Sequence, residues 1–154
     1  MFSYLEKNGI DNFVGVPDST LKNFIKEGLL KKKILITTRE EEAIGIATGM
    51  TLCKSNSLIF MQNAGFANSL STITSLIQLY KIPVIFLIGW RGFLQNDAPE
   101  HIKIGRIQPN LLKDIELENR IVSEKTWKKN CKWALSKIKN NSTVVLIIKR
   151  ETVE

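Results

Sequence analysis

The order of apolar runs along the sequence predicts an α/β domain, with a mainly parallel sheet of about six strands between two layers of helices. Short runs rich in β-branched residues alternate with longer stretches whose apolar residues have helical spacing. The chain has 154 residues, 44% of them apolar, which is enough for a substantial core. We therefore expect residues 1–154 to form a single three-layer α/β/α domain.

The first two strand and helix pairs have clear signals. Asn12–Val16 (NFVGV) is a strand candidate, and Ser19–Leu30 then places apolar residues at helical spacing. Ile34–Thr37 is a second strand. Glu40–Leu52 begins with three acidic residues, which the helix dipole favours in a first turn. We expect this segment to be the second long helix.

The middle of the sequence continues the alternation and then loses it. Ser57–Met61 predicts a third strand and Asn68–Tyr80 a third helix, while Pro83–Ile88 is apolar enough for a strand buried on both faces. Trp90–Arg106 has no period and contains the one histidine of the sequence. We predict a functional loop there, because long irregular segments in compact domains are usually functional or mobile.

The last third contains three predicted elements. Pro109–Ile115 is a short helix candidate, and a long helix runs from about Glu124 to Lys139 with Ser123 as its N-cap. Thr143–Lys149 (TVVLIIK) predicts the final strand. The long helix is amphipathic, with a basic face and an apolar face.

The net charge of +7 is concentrated near the C-terminus, since residues 1–100 carry ten basic and nine acidic side chains and the rest twelve and six. On the long helix, Lys125, Lys128, Lys129 and Lys132 share one face. We interpret this face as solvated and expect no nucleic-acid partner, because no stacking aromatics or RNA-binding motif accompany the lysines. A nucleic-acid surface is the alternative.

Several other classes of protein are disfavoured by the sequence. Cys53 and Cys131 lie far apart without CxxC spacing, which argues against a disulfide framework or a zinc site. The longest apolar run, Ile82–Trp90, is about half of a membrane span, and the N-terminus lacks a signal-peptide pattern. We expect a cytoplasmic protein with no membrane partner.

The candidate chemistry follows the predicted strands. In open α/β sheets, ligands bind outside the carboxyl ends of the strands. Each group at these ends also has a structural interpretation, as a helix cap, a dipole-compensating acid or a polar turn. The groups are Pro17-Asp18-Ser19, Arg39–Glu42, Gln62–Gly65 and Trp90-Arg91-Gly92 with the following His101 segment. Four such groups on one rim favour a site.

The sequence lacks GxGxxG, GxxxxGK[ST], HExxH and GxSxG motifs and a cluster of Asp and Asn with Mg²⁺-ligand spacing. By itself the chain therefore has no recognisable means of holding a nucleotide or a metal diphosphate. If the chain is an enzyme, we expect it to supply half of an active site.

Five motifs in order carry a family resemblance. They are Gly15–Ser19 (GVPDS), Arg39-Glu40 with Gly49, Met61–Gly65 (MQNAG) with Asn68, Ile88–Gly92 (IGWRG), and Asp97–His101 (DAPEH) with Gly105-Arg106. About residues 8–120 resemble the pyrimidine-binding (PYR) domain of thiamine-diphosphate-dependent 2-oxoacid decarboxylases, most specifically the phosphonopyruvate and sulfopyruvate decarboxylase branch. The resemblance implies the thiamine-diphosphate-binding fold.

The resemblance also implies residue roles. Glu40, identified by its spacing to Gly49, is expected to hydrogen-bond the aminopyrimidine ring of thiamine diphosphate. Asp18 and His101 are expected to carry protons and to contact the substrate. Arg91 is expected either to pair with the anionic group of the substrate or to anchor its loop. The further cofactor contacts implied are Pro17, Gln62, Asn63 and Asn68.

An enzyme of this class needs a diphosphate-binding (PP) domain with a GDG...NN motif, which this chain lacks. The resemblance implies a separate PP-domain β subunit that holds Mg²⁺, in an α₂β₂ or larger assembly with the cofactor between the chains. Trp90-Arg91-Gly92 and Asp97–His101 resemble phosphonopyruvate decarboxylases more than sulfopyruvate decarboxylases. The resemblance implies phosphonopyruvate as substrate, converted to phosphonoacetaldehyde and CO₂. The alternatives are a sulfopyruvate decarboxylase α subunit and a PYR-fold binding module without catalysis.

Overall fold

In a computed structural model of the chain, residues 1–93 and 97–149 are described. The strands are β1 (Asn12–Gly15), β2 (Ile34–Ile36), β3 (Ser57–Gln62), β4 (Val84–Trp90), β5 (Asn119–Val122) and β6 (Val144–Lys149). They form one sheet in the order β2-β1-β3-β4-β6-β5, and every pair is parallel. The predicted parallel sheet is confirmed.

Helices cover both faces of the sheet. They are α1 (Phe2–Lys7), α2 (Lys22–Leu30), α3 (Glu40–Leu52), α4 (Asn63–Asn68), α5 (Leu70–Thr72), α6 (Pro99–Asp114) and α7 (Trp127–Lys139). One core, under α1, α2 and α7, contains Phe2, Phe13 and Phe24. The other, under α3, α4 and α6, contains Ala43, Phe66 and Leu112. Two cores separated by one sheet confirm the three-layer architecture.

Two elements have no counterpart among the predictions. The short helix α1 buries Phe2 and Leu5 completely. Strand β5 is an edge strand with only Val122 fully buried. Its NRIV sequence therefore lacks the apolar run by which the central strands are recognised.

The segment after β3 departs from the predicted helix Asn68–Tyr80. Helix α4 begins at Asn63, directly after the strand, and ends at Asn68. A short helical turn and a π-helical segment, Ile73–Gln78, follow. Ile73 and Ile77, one turn apart in this segment, are both buried in the core. The prediction was right about helical structure and wrong about where it starts.

The second half of the predicted loop Trp90–Arg106 is helical, and residues 94–96 of that loop lie outside the described residues. Helix α6 starts at Pro99 and runs for 16 residues, so it includes both His101 and most of the helix predicted at Pro109–Ile115. Proline at the first helical position is a common start signal, because its missing N–H has no partner there in any helix. Pro109 lies inside the same helix.

Helix α7 begins at Trp127, later than predicted, and its N-cap residue is Thr126. Ser123 as N-cap is therefore wrong. Its carbonyl accepts from the N–H groups of Thr126 and Trp127 and forms the turn before the helix. The lysines of the basic face are exposed, as a solvated face requires, although Lys125 lies before the helix.

Within residues 1–93 and 97–149, none of the helices combines the length and the apolar composition that crossing a membrane would need.

Candidate active site

The order of the sheet reverses between β1 and β3, which lie side by side although the chain forms β2 between them. In open α/β folds, ligands bind at the carboxyl ends of the strands at such a switch point. Here the carboxyl ends bring Asp18, after β1, beside Gln62, the last residue of β3. The amide of Gln62 donates a hydrogen bond to Asp18 Oδ1 at 3.2 Å. The two sequence-predicted residues therefore meet at the predicted place.

Asp18 is only 7% exposed, and both of its carboxylate oxygens accept hydrogen bonds. Its Oδ2 accepts from the backbone N–H of Thr20 at 3.0 Å, so the residue caps the 3₁₀ turn Ser19–Leu21. The same oxygen lies against Gly89 of β4. The capping interpretation is therefore confirmed, and capping fixes the carboxylate at the rim, while the expected catalytic role of Asp18 stays a prediction.

Glu40 is the first residue of α3 and is half-buried. Its side chain lies over Gly65 in the first turn of α4. The next two acids behave differently: Glu41 is exposed, and Glu42 Oε2 accepts the backbone N–H of Thr38 at 3.1 Å. Glu40 alone of these three acids therefore reaches across to the segment that follows β3.

Asn63 ties the end of β3 to the end of β4 and is fully buried. Its Oδ1 accepts the backbone N–H of Arg91 at 3.0 Å, and its Nδ2 donates to the Arg91 carbonyl at 3.1 Å. The side chain thus replaces a missing strand partner for the Arg91 backbone. This contact gives Asn63 a structural role, while its expected cofactor contact stays a prediction.

Arg91 forms a buried ion pair with Asp97, with 2.6 Å between Arg91 Nη2 and Asp97 Oδ1. Arg91 Nη1 also donates to Ser19 Oγ at 3.1 Å. Asp97 further accepts the backbone N–H groups of Gly92 and Ala98, both at 2.8 Å. The Arg91 hydrogen bonds, followed by these amides, hold the pKa of the Asp97 carboxyl well below its usual range. The pKa of the Arg91 guanidinium is raised by the same hydrogen bonds.

This geometry supports the loop-anchoring interpretation of Arg91, and it leaves the substrate contact as a prediction. Asp97, to which the motifs assign no role of its own, is the residue that organises the segment after β4. In the sequence, Asp97 is an acidic residue six positions after Arg91. That spacing belongs to no regular period, so the sequence does not indicate that the two side chains pair.

His101 is half-buried in the first turn of α6. The helix approaches the end of β4 very closely at Gly92, which has φ +70°, a conformation that favours glycine. A Cβ at Gly92 would lie 1.7 Å from the His101 carbonyl oxygen. The backbone of His101 is thereby fixed beside the Arg91 segment, at the same rim as Asp18.

Lys149, the last residue of β6, also reaches this rim and is absent from the sequence predictions of the site. It pairs in register with Trp90. Its Nζ lies 3.7 Å from the ring centroid of Phe93 and 5.2 Å from that of Trp90. These are cation–π distances. The aromatic residues on either side of Arg91-Gly92 are the sequence feature from which a nearby cation could have been expected.

The remaining predicted residues lie at the borders of the site. Pro17 is exposed just after β1, and Asn68 is exposed at the last position of α4, about 7.5 Å along the helix axis from Asn63. In the described ranges 1–93 and 97–149, no group of three or more His, Cys, Asp and Glu side chains is arranged to hold a metal ion.

Solved structures with this fold include the benzoylformate decarboxylase of Polynucleobacter necessarius, with a TM-score of 0.73, 18% identity and 99% of this chain covered. The thiamine diphosphate-dependent 4-hydroxybenzoylformate decarboxylase of Rhodococcus jostii RHA1 matches with a TM-score of 0.73, 12% identity and 98% of this chain covered. This chain spans 29% of each of those two chains. The fold is therefore that of the PYR domain of thiamine-diphosphate-dependent enzymes.

Curated relatives narrow the class of enzyme. The sulfopyruvate decarboxylase subunit alpha of Methanocaldococcus jannaschii is 37% identical over 119 residues, which are 76% of this chain and 70% of the relative. The same subunit of Methanococcus maripaludis is 35% identical over 113 residues, 71% of this chain and 67% of the relative. The phosphonopyruvate decarboxylase of Streptomyces viridochromogenes is 31% identical over 121 residues, 77% of this chain but 30% of the relative. No model of a protein family matches the chain.

This chain belongs to the sulfopyruvate and phosphonopyruvate decarboxylase family, a family of thiamine-diphosphate-dependent carboxy-lyases. The resemblance inferred from the five motifs is confirmed at the level of this family.

Proposed function

We propose that the chain is the α subunit of a decarboxylase that removes CO₂ from a small anionic 2-oxoacid with thiamine diphosphate. The observation that carries the proposal is the pair of carboxylates at the switch point. Glu40 lies over Gly65 and Asp18 lies against Gly89. These glycines belong to neighbouring segments of one rim, where a ligand of an open α/β sheet binds.

The residues of this rim suit the pyrimidine half of the cofactor. Glu40 offers a half-buried carboxylate, which can share a proton with a ring nitrogen. When bound, thiamine diphosphate supplies an electron sink for the carbanion left after loss of CO₂. We assign to Glu40 the contact with the aminopyrimidine. Pro17, Gln62, Asn63 and Asn68 are the further cofactor contacts that we propose.

Asp18 and His101 are proposed to move the protons of the reaction. Asp18 is held by the N–H of Thr20 and by the amide of Gln62, so its carboxylate does not need to reorganise during turnover. His101 lies on the first turn of α6, a position that the close contact with Gly92 fixes. Arg91 is proposed to stay paired with Asp97 and to orient Ser19, to which it donates.

A partner subunit completes the site in this proposal. Two relatives of comparable length are named subunit alpha, and this chain spans 70% and 67% of their lengths. The phosphonopyruvate decarboxylase relative is about three times longer than its matched part. We propose that a separate PP-domain β subunit covers the rim, holds Mg²⁺ with the diphosphate, and assembles with this chain as α₂β₂ or larger.

Sulfopyruvate is the substrate that the comparisons favour. The motifs after β4 favour phosphonopyruvate, but the relatives of 37% and 35% identity are sulfopyruvate decarboxylase subunits. Phosphonopyruvate is the second candidate, supported by 31% identity to a phosphonopyruvate decarboxylase. Both substrates carry a tetrahedral oxyanion beside the 2-oxoacid group, so one rim can serve either.

Co-expression with the PP-domain chain from the same organism tests the proposal. The purified complex is given thiamine diphosphate, Mg²⁺ and either acid, and CO₂ release is measured. We expect kcat/KM to be at least about tenfold higher for sulfopyruvate. A higher kcat/KM for phosphonopyruvate would instead make phosphonopyruvate the substrate. If a stable complex releases no CO₂ from either acid, the proposed reaction is wrong.

A further inference from the structure

Both carboxylates of the candidate site lie directly against a glycine. A Cβ atom on Gly65 would lie 2.1 Å from Glu40 Oε1, 2.4 Å from its Cδ and 2.5 Å from its Cγ. A Cβ atom on Gly89 would lie 2.1 Å from Asp18 Oδ2 and 3.1 Å from its Cγ. Real Cβ atoms essentially never lie within 3.0 Å of such an atom, so the carboxylate would have to shift, which is cheap only at the far end of a flexible side chain.

The space beside these glycines is taken by functional side chains. All three atoms nearest to the Gly65 position belong to Glu40. At Gly89 the nearest atom is Asp18 Oδ2, and Asp18 Cγ and Thr20 Cβ both lie at 3.1 Å. Neither glycine has a positive φ, so backbone conformation does not require glycine at either position. Alanine would be favoured over glycine in a helix or a strand. The carboxylates, where they now lie, therefore occupy most of the space that a Cβ at either position would need.

A carboxylate contact distinguishes Gly65 and Gly89 from the other glycines. Close approach alone does not, because backbone or apolar atoms lie within 3.0 Å of a Cβ placed on Gly15, Gly28, Gly92 or Gly105. Gly45 and Gly49 lie on the same helix as Glu40, and a Cβ atom on either would have open space for 4 Å around it. Gly45 therefore offers a matched control for replacement by alanine close to the site.

We propose that Gly65 and Gly89 are positioning residues, which set where Glu40 and Asp18 present their carboxylates. The proposal rests on the proposed function and deepens it. An alanine at position 65 must push the Glu40 carboxylate away from the start of α4, where its oxygen now lies. Because a misplacement of about 1 Å can reduce a reaction rate about 100-fold, the step that uses Glu40 should slow by that factor.

The two glycines act on different steps. Gly65→Ala should slow hydrogen–deuterium exchange at thiazolium C2 of the bound cofactor about 100-fold, because Glu40 serves that proton transfer. Gly89→Ala should leave the C2 exchange rate within about twofold and slow aldehyde release, because Asp18 serves the later proton transfer. Gly45→Ala should change neither rate.

The experiment uses the complex with its PP-domain subunit and measures C2 exchange by NMR, aldehyde release and thermal unfolding. In a Glu40→Ala background, which removes all three colliding atoms, Gly65→Ala should cause no further loss of exchange and no loss of Tm. Should Gly65→Ala alone not fold, the Gly65→Ala/Glu40→Ala variant should fold. If that double variant also fails to fold, Gly65 serves something other than Glu40 and the proposal is overturned.

The outcomes separate this proposal from the proposed function. If the unaltered complex shows no C2 exchange with thiamine diphosphate, the proposed function and the positioning roles are both wrong. If the unaltered complex exchanges and Gly65→Ala exchanges at the same rate, only the positioning role is wrong. Equal slowing of C2 exchange by Gly65→Ala and Gly89→Ala would also overturn the assignment of separate steps.

Discussion

Asp97 shows how one side chain fixes the conformation of a whole segment. It accepts hydrogen bonds from the Arg91 guanidinium and from the backbone N–H groups of Gly92 and Ala98. The Arg91 and Asp97 side chains are 14% and 3% exposed, so the pair is screened from water. Such charge-assisted hydrogen bonds are among the stronger ones in proteins.

Replacing Asp97 by Asn should therefore lower the free energy of unfolding by about 2 to 3 kcal/mol, because Arg91 keeps its charge and loses its counter-charge. Urea denaturation at neutral pH measures this loss. The exposed Asp114, replaced by Asn, serves as the control and should change the stability by less than about 0.5 kcal/mol. An Asp97→Asn loss no larger than that of the control would mean that the ion pair stabilises nothing.

The stability that Asp97 contributes should depend on pH. Its carboxyl pKa is lower in the folded chain than the usual value of about 4 in an unfolded chain. Asp97 therefore contributes its full stabilisation above a pH of about 5. This stabilisation is lost as the pH falls below about 4 toward the pKa that the Asp97 carboxyl has in the folded chain. The difference in unfolding free energy between the unaltered chain and Asp97→Asn should shrink over that range. A constant difference down to a pH of about 3 would contradict the lowered pKa.

At the residue scale, part of the site could be predicted from the sequence. The rule for open α/β sheets placed Asp18 and Gln62 on one rim, and they do form a hydrogen bond. The rule could not show that Asn63 turns inward onto the Arg91 backbone, because a strand-end amide has no periodic signal. Gly65 could be recognised only after Glu40 was placed over it.

Helix α6 is shaped by two of its own residues. Pro109 has no N–H to donate to the carbonyl of Gly105, four residues earlier. The indole Nε1 of Trp90 donates to that carbonyl instead, at 2.9 Å. A Cβ at Gly105 would lie 2.3 Å from the Gly92 backbone, so only glycine permits this close packing. The helix is therefore fixed to the end of β4 through a carbonyl that proline leaves unused.

Trp90→Phe should cost about 1 to 2 kcal/mol beyond the effect of ring size, because the Gly105 carbonyl loses its donor. In a Pro109→Ala background, the new N–H of residue 109 can serve that carbonyl, so the same substitution should cost less. A double-mutant cycle by urea denaturation measures the coupling, which we expect to be about 1 kcal/mol. If the two substitutions lower the unfolding free energy additively, the absence of an N–H at Pro109 is not what leaves the Gly105 carbonyl free for Trp90.

At the element scale, the buried strands were the easiest to predict, because β3 and β4 are continuous apolar runs. Strand β5 was missed because an edge strand buries little and carries no such run. The start of helix α6 was mistaken for a loop because its first turn is polar and its proline at 109 suggested a helix start. Only the packing of His101 and Gly105 of this helix against Gly92 reveals that the helix begins at Pro99.

For the whole molecule, the order of elements was sufficient to predict the three-layer fold, since strands alternating with helices have few other arrangements. The sheet order β2-β1-β3-β4-β6-β5 was not predicted, because pairing depends on contacts between distant residues. In our proposal the rim at the switch point is one wall of the active site, and the second wall belongs to the PP-domain subunit.

The isolated chain should accordingly bind thiamine diphosphate weakly, with a Kd above about 1 mM even with Mg²⁺, because half of the contacts are absent. Isothermal titration calorimetry measures this affinity, and the complex with the PP-domain subunit is the positive control. Micromolar, Mg²⁺-dependent binding by the isolated chain would mean that the chain holds a complete cofactor site. The split-subunit account would then be wrong.

Glu40 is the residue on which the proposed active site depends most directly, and Glu40→Gln tests it. The amide keeps the size of the side chain and removes the charge that a ring nitrogen would need. CO₂ release from sulfopyruvate by the reconstituted complex should fall at least about 100-fold, while Glu41→Gln stays near the unaltered rate. Both variants should keep the Tm of the unaltered complex. Undiminished CO₂ release by a folded Glu40→Gln complex would contradict the assignment of this rim as the active site.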